Sequence, residues 1–411
     1  MKKYLLIILF MPIFLLAQES YTLSEMIEIG LENNLDYIES KISLENSKSS
    51  LLSSYYEILP NANLTSSKSY DLKSDSDSRT AGFSLSKTLY LDEPTYFSIE
   101  QSALNKNNYR LSAKYSKKEI AYNIIDKYLN LIESMESLQI QKRNITLKEK
   151  SIEKINIKYE NGEATIIDKQ NSEITLFDYK INLKQTENQI EKQRKDLFAY
   201  INIEDNNEKL LKPNLEIKDQ NYRYNLPISL QKEKNDLKKT KLSLLQQKLD
   251  FLPTLSLSAN YNYNYENSGS VFSSENYDDD YGISLNLSYS LFNPIKHKEN
   301  YKRDKRSYRI QRLRFELNKR ESVNEFENML AELENQKEIY DLMKQKETFA
   351  KKNFDIAKEQ YDLGMINILD FEDAQNNYLQ SKLELNSQFY SLLRQQQLLN
   401  LYLNKEILGK Y

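Results

Sequence analysis

From Thr254 to Tyr265 the chain alternates strictly between two kinds of side chain. Leu255, Leu257, Ala259, Tyr261, Tyr263 and Tyr265 fall on one face, with Ser or Asn on most of the other. Successive side chains of a strand point to opposite faces, so the pattern predicts a strand with one lipid-compatible and one water-compatible side. Residues 281–291 repeat it, with Tyr281, Ile283, Leu285, Leu287, Tyr289 and Leu291 set against Gly282, Ser284, Asn286, Ser288 and Ser290, and the two segments predict a hairpin. Strands of about 9–11 residues that are apolar outside and polar inside, with aromatic ends, are those of a transmembrane β-barrel wall. The chain is expected to help form a pore, with Leu255, Leu257, Tyr261, Ile283, Leu285 and Leu287 facing lipid.

Elsewhere the apolar positions recur every seven residues. Ile124, Leu131, Leu138, Ile145, Ile152 and Tyr159 make one row; Phe326, Leu333, Tyr340, Phe354 and Tyr361 make another, interrupted at Glu347. Leu176, Leu183, Ile190 and Leu197 continue after Gly162, and Tyr378, Leu385, Leu392 and Leu399 after Gly364. Such rows predict coiled-coil packing in two antiparallel helical hairpins that turn at the two glycines. Helices are expected over 22–57, 94–159, 164–203, 226–251, 294–361 and 367–405, with further strands at 61–70 and 80–91. Thr22 is the expected first cap and Ser24 its competitor. From Pro94 to Tyr159 there are 159 minus 94, or 65 steps, roughly 100 Å at ~1.5 Å per residue.

The second half repeats the first. Tyr159-x-x-Gly162 and Tyr361-x-x-Gly364 lie 202 residues apart, as do Asp168 and Asp370 (361 minus 159; 370 minus 168). Gly82 with Gly282 and Pro94 with Pro294 lie 200 apart (282 minus 82; 294 minus 94). Two fused copies of one unit account for the offsets. The expected organisation is a signal peptide over 1–17, a first repeat over 18–204, a linker over 205–227 around Pro213 and Pro227, and a second repeat over 228–411.

Composition narrows the function. Met1-Lys2-Lys3, the apolar run from Tyr4 to Leu16 and Ala17-Gln18 read as an export leader with a cleavage site. The absence of cysteine excludes disulfides, thiolate chemistry and a lipid-anchoring cysteine. In 411 residues, 7 Gly, 7 Pro, no Trp and 28% charged residues suit long polar helices better than compact α/β modules. A net charge of -3 gives no global field for nucleic acid or anionic lipid, so any electrostatic function is local. A single histidine, His297, rules out histidine metal clusters, and no Ser/His/Asp order or Gly-rich phosphate loop is present, so no enzymatic activity, cofactor or metal is expected.

One chain supplies four candidate strands, whereas a membrane barrel leaves no edge unpaired and needs about eight or more. Two copies would give a side-chain-filled interior and three an aqueous lumen, the sensible number if the helices continue that lumen as a tube. With its helix-hairpin-helix repeats, the Leu-Pro before each first strand (Leu59-Pro60, Leu252-Pro253) and the Tyr-x-x-Gly-x-x-x-Ile/Leu-Asp turns at 159–168 and 361–370, the whole mature chain resembles the TolC-like outer membrane efflux proteins.

That resemblance implies an α+β fold in which long antiparallel coiled-coil helices form an α-barrel and two β-hairpins contribute four strands to a 12-stranded β-barrel of a homotrimer. It implies a passive exit duct in outer membrane lipid and the periplasm, docked to a periplasmic adaptor and an inner-membrane pump, in efflux or type I secretion. It places Asn161, Gly162, Glu163, Leu363, Gly364 and Met365 at the tips where the adaptor docks; the glycines equally serve as helix stops. Asp370 and Asp373 match the family's acidic entrance, with Asp168 as the first repeat's counterpart and Asn171 in place of a second carboxylate. Helix capping near the turn is the competing role for these aspartates.

Two further clusters carry competing readings. Nine basic residues between Lys296 and Arg314 form either a lipid-phosphate contact or a solvated helix face. Asp278, Asp279 and Asp280, with Asp71, Asp75 and Asp77, are expected in polar loop tips, with calcium a weaker reading because no EF-hand spacing is present. The rival function is a periplasmic coiled-coil adaptor or spacer, which would have no lipid-facing strands. The exported substrate, whether drug, metal ion or polypeptide, is not written in the sequence.

Overall fold

The computed structural model describes residues 20–72, 76–90, 94–217, 220–249, 252–267, 277–289 and 293–408. The expected leader, Asp75, Ser290 and Leu291 lie outside them. The elements run β1 (Ser20–Tyr21), α1 (Leu23–Asn33), α2 (Leu35–Tyr56), β2 (Asn61–Asp71), β3 (Ser76–Tyr90), α3 (Pro94–Glu160), α4 (Ile166–Tyr200), β4 (Lys209–Leu210), α5 (Ile228–Leu249), β5 (Thr254–Asn267), β6 (Tyr277–Ser288), α6 (Asn293–Asp362) and α7 (Ile368–Tyr402). The order α2-β2-β3-α3-α4 recurs as α5-β5-β6-α6-α7. No helix of the described residues is long and apolar enough to cross a membrane.

The chain forms two compact units, each drawing on both halves of the sequence. One comprises residues 39–114 and 226–323 and holds the sheet. Its strands are antiparallel in the order β2-β3-β5-β6. The register places Leu255 opposite Leu287, Leu257 opposite Leu285, Ala259 opposite Ile283 and Tyr261 opposite Tyr281. Across the other side of β5, Leu89, Leu85 and Phe83 stand opposite Leu255, Ala259 and Tyr261. Across β5 and β6 one face is apolar except for Asp279 opposite Tyr263, and β3 sets Lys87 opposite Leu257 on that side, whereas on the other face Ser258 meets Ser284, their hydroxyls 2.7 Å apart. Helices in this unit join through polar contacts: Ser54 with Ser102 at 2.7 Å, and Asn108 Nδ2 donating to Asp236 at 2.9 Å.

Strand β6 starts at Tyr277, so Asp278, Asp279 and Asp280 are strand residues opposite Asn264, Tyr263 and Asn262, and not loop residues. Alternation puts Asp278 and Asp280 with the asparagines and Asp279 with Tyr263.

The other unit comprises residues 20–38, 115–225 and 324–408 among those described. Its largest core gathers Met26 and Ile27 of α1, Ile124, Ile125, Leu129 and Leu131 of α3, Leu197 and Phe198 of α4, and Tyr390 and Leu393 of α7. The short parallel pairing of β1 with β4 lies beside it, and Tyr128 Oη donates to Leu211 O at 2.7 Å. Composition gave no signal for that pairing, because two residues are too few for an alternation.

One helix was expected over 22–57, and two are present. Thr22 is the cap, closing a capping box in which Glu25 N donates to its hydroxyl at 3.3 Å and Thr22 N donates to the Glu25 carboxylate at 2.7 Å. Asn34 then ends α1 with an extended backbone and accepts from Tyr37 N at 3.3 Å, starting α2. A single asparagine carbonyl thus breaks the helix that periodicity alone would continue.

Candidate functional site: the hairpin tips and the acidic stripe of α7

Both helical hairpins turn by the same device. Glu163 N donates to Lys158 O at 2.7 Å and Gly162 N to Tyr159 O at 3.0 Å; in the second hairpin Met365 N donates to Gln360 O at 2.8 Å and Gly364 N to Tyr361 O at 3.1 Å. This is a Schellman closure, which needs a left-handed residue at its centre. Gly162 has φ +78° and Gly364 +73°, with open space around each. Leu363 and Met365 flank the second turn at 74% and 69% exposure, large apolar side chains presented to solvent. Asn161 and Glu163 are exposed at the first.

The helices that follow are capped differently. Thr165 Oγ1 accepts from Asp168 N at 3.1 Å, while the Asp168 carboxylate accepts from Thr165 N at 2.9 Å and Oγ1 at 2.8 Å. The backbone N–H and then the hydroxyl of Thr165 hold the Asp168 carboxyl below its ordinary pKa. Asp168 therefore serves the capping box of α4. In α7 the cap is Asn367, whose Oδ1 accepts from Asp370 N at 2.9 Å. A carboxamide does the capping there, and the Asp370 side chain is not drawn into it.

Asp370, Asp373, Asn377, Gln380 and Glu384 follow one another at steps of three and four residues and share one face of α7. Asp370 and Asp373 are exposed and line a groove of about 610 Å³ with Lys346, Phe349 and Asn353 of α6. Farther along, Glu384 accepts from Lys346 Nζ at 2.6 Å and from Gln380 Nε2 at 2.9 Å, and the Lys346 contact leads in holding its carboxyl below the ordinary value. The two aspartates at the turn end are the exposed carboxylates of the stripe.

The opposite face of α7 is sequestered. Phe371 stacks on Tyr361 at 5.1 Å and on Phe354 at 6.0 Å, and Phe354 stacks on Tyr378 at 5.5 Å, around buried Ile155 and Ile368. Glu372, between the two exposed aspartates, is buried in an ion pair with buried Lys148 of α3, and Ser172 of α4 donates to the same carboxylate. At the tip Lys154 pairs with Asp362 at 2.7 Å, and the Lys158 ammonium lies 4.1 Å from the Tyr361 ring centre. These contacts tie α3 and α4 of the first half to α6 and α7 of the second.

Sequence reading found the turns and the acidic pair and missed Lys148, Ser172 and Glu372. The available signal was that Ser134, Gln141, Lys148 and Ile155 recur at seven-residue intervals, a row that ends in a fully buried isoleucine. The basic residues of α6 are exposed, with local pairs from Lys302 to Glu299 at 2.6 Å and from Arg303 to Asp304 at 3.1 Å.

Residues 229–405 match the model of the outer membrane efflux protein family. No curated protein matches the chain. Among solved structures it is similar to the CmeC outer membrane channel of Campylobacter jejuni, with 16% identity, TM-score 0.79, and coverage of 93% of this chain and 85% of that one. It is also similar to the outer membrane protein VceC of Vibrio cholerae (14%, 0.79, 93% and 94%) and to the open-state MtrE outer membrane channel of Neisseria gonorrhoeae (18%, 0.74, 92% and 88%). At these identities the likeness fixes the fold, that of TolC-like channels.

Proposed function

Starting from a chain whose residues 229–405 match the outer membrane efflux protein family model and whose fold is that of TolC-like channels, we propose that it is the outer membrane component of a tripartite efflux pump. In this reading the protein is a homotrimer and a passive exit duct, with its strands in the outer membrane and its helical hairpins in the periplasm. A periplasmic adaptor docks at Asn161, Gly162, Glu163, Leu363, Gly364 and Met365, and an inner-membrane pump supplies the energy. Asp370 and Asp373 form the entrance constriction, with the substrate chosen by the pump.

The observation that carries this reading is a sheet whose β5 and β6 present one largely apolar face and whose two edges are open. Among the described residues, β2 and β6 each leave one row of backbone groups without a strand partner. Hydrocarbon offers such groups no partner, so a lipid-embedded sheet closes on itself. Joining β6 of one copy to β2 of the next does so without new elements, and three copies give about twelve strands and an open lumen. A coiled-coil adaptor has no use for that face.

Fractionation of expressing cells tests the reading. The protein is expected in the outer membrane, extracted only by detergent, with a trimer mass by native mass spectrometry. A monomer in the soluble periplasmic fraction would overturn it.

A further inference from the structure

Along α4, Thr175, Asp178, Asn182, Gln185 and Gln189 follow each other at steps of three, four, three and four residues. That spacing puts them on one face of α4, where Asp178, Asn182, Gln185 and Gln189 are exposed in the single chain, beside the apolar seam of Leu176, Leu183 and Ile190. Here the row lines a recess of about 720 Å³ between α4 and α7. Asn376, Asn377 and Gln380 of α7 form the facing wall, and Gln141 and Asn144 of α3 contribute from the third side. The volume falls within the ~300–1,000 Å³ of ligand pockets.

The chemistry of the lining is narrow. Its carboxamides each present a planar pair of donors beside an acceptor, and Thr175 and Thr186 add hydroxyls. No lysine or arginine lines the recess, and Asp178 is its one carboxylate. Leu379, Leu383 and Tyr179 supply apolar surface. One of the α3 amides is incompletely used: Gln141 donates to Thr186 at 3.0 Å but its Oε1 is buried without a partner, whereas Asn144 accepts from Gln375 at 3.2 Å and hydrogen-bonds to Tyr179. Asn144 itself is 7% exposed. A buried polar atom left unpaired costs free energy, and a fold that only needed α3, α4 and α7 to pack would place an apolar side chain at Gln141.

We propose that this recess binds neutral, hydroxyl-rich molecules, oligosaccharides in chemical class. A sugar hydroxyl both donates and accepts, as a carboxamide does, so a wall of amides pairs with a run of hydroxyls in either sense. The apolar CH face of a sugar ring fits against Leu379, Leu383 and Tyr179. A charged solute finds no counter-ion here except for cations at Asp178, in contrast to the acidic groove on the other side of Asn377 and Gln380, which line both. The placement of the recess on a duct wall rests on the channel reading, whereas the binding itself does not.

The test is calorimetric titration of the purified protein, in a detergent without a sugar headgroup, with maltotriose and with the anionic trisaccharide 3′-sialyllactose. Saturable maltotriose binding is expected, with sialyllactose weaker. Asn182 and Gln185 are exposed in the single chain, so Asn182→Leu with Gln185→Leu should leave the fold intact while weakening maltotriose at least about tenfold. The near-isosteric Asn182→Asp, which loses the donor, should weaken it less. Absence of saturable binding, or equal binding by the double variant, overturns the proposal. Bilayer recordings of the same samples separate the two readings: binding without a conducting pore refutes the channel and leaves the site standing, and a pore without binding refutes the site.

Discussion

Lys148 of α3 and Glu372 of α7 form an ion pair in the interior of the helical unit, with side chains 1% and 8% exposed. Removing one partner leaves a buried charge uncompensated, so Glu372→Gln should destabilise by about 3–5 kcal/mol, whereas replacing both with methionine should cost far less. Denaturation followed by circular dichroism checks the pair. A double variant that loses as much as the two single variants together would show that the charges act independently.

The same pair has a pH signature. Burial pushes the Lys148 ammonium below its ordinary value of 10.5, with the Glu372 hydrogen bond and charge opposing it. Between the folded and unfolded pKa values the unfolded chain binds more protons, so stability rises with pH there; the penalty is complete below the folded pKa and fades as pH climbs toward 10.5. Relative to Lys148→Met, the wild-type protein should therefore gain stability on the alkaline side of neutrality. A difference that stays flat or shrinks with rising pH would contradict the direction.

The two tips should respond differently to acid. The Asp168 carboxyl is held below its ordinary pKa by Thr165, so the stability it contributes is present above the ordinary carboxylate pKa and lost as pH falls through the folded one. The Asn367 cap of α7 has no titrating group in that role. Hydrogen exchange, corrected for intrinsic rates, should show amides 168–171 losing protection on acidification while amides 370–373 keep theirs. Parallel losses would indicate a general loosening of both hairpins.

Strand facing has its own test. Leu285 shares the apolar face with Leu257, and Ser284 shares the other with Ser258. An arginine on a lipid face at mid-membrane costs about 2–4 kcal/mol, so Leu285→Arg should impair insertion, whereas Ser284→Arg should insert and alter conductance. Heat-stable trimer in outer membrane fractions reads the first effect. Indistinguishable insertion of the two variants would refute the facing.

How much of this was legible in the sequence depends on how local each cause is. The alternation at 254–265 needs only the strand period, and its residues do form β5. The glycine turns need only a left-handed residue, which Gly162 and Gly364 are. Asn34 was missed because one side chain competing for backbone donors leaves no periodic trace. Lys148 and Glu372 were missed because each looks solvated on its own helix, and only the packing of α7 against α3 and α4 buries them. The amide row of α4 was hidden by the apolar row Leu176, Leu183, Ile190 and Leu197 beside it. Asp168 and Asp370 share a sequence position across the repeats, yet Thr165 and Asn367 give their carboxylates different work.

In the proposed assembly, copies of this chain form a channel whose periplasmic mouth is ringed by Asp370 and Asp373. Three copies would bring about six carboxylates around one axis, a ring that favours cations and binds multivalent ones. Planar-bilayer recording of the purified protein against a variant carrying Asp370→Asn and Asp373→Asn tests it most directly. The account predicts a cation-selective pore blocked by a trivalent cation from the periplasmic side, with both selectivity and block weakened in the double variant. Unchanged selectivity and block in that variant, or no pore in either protein, would contradict it.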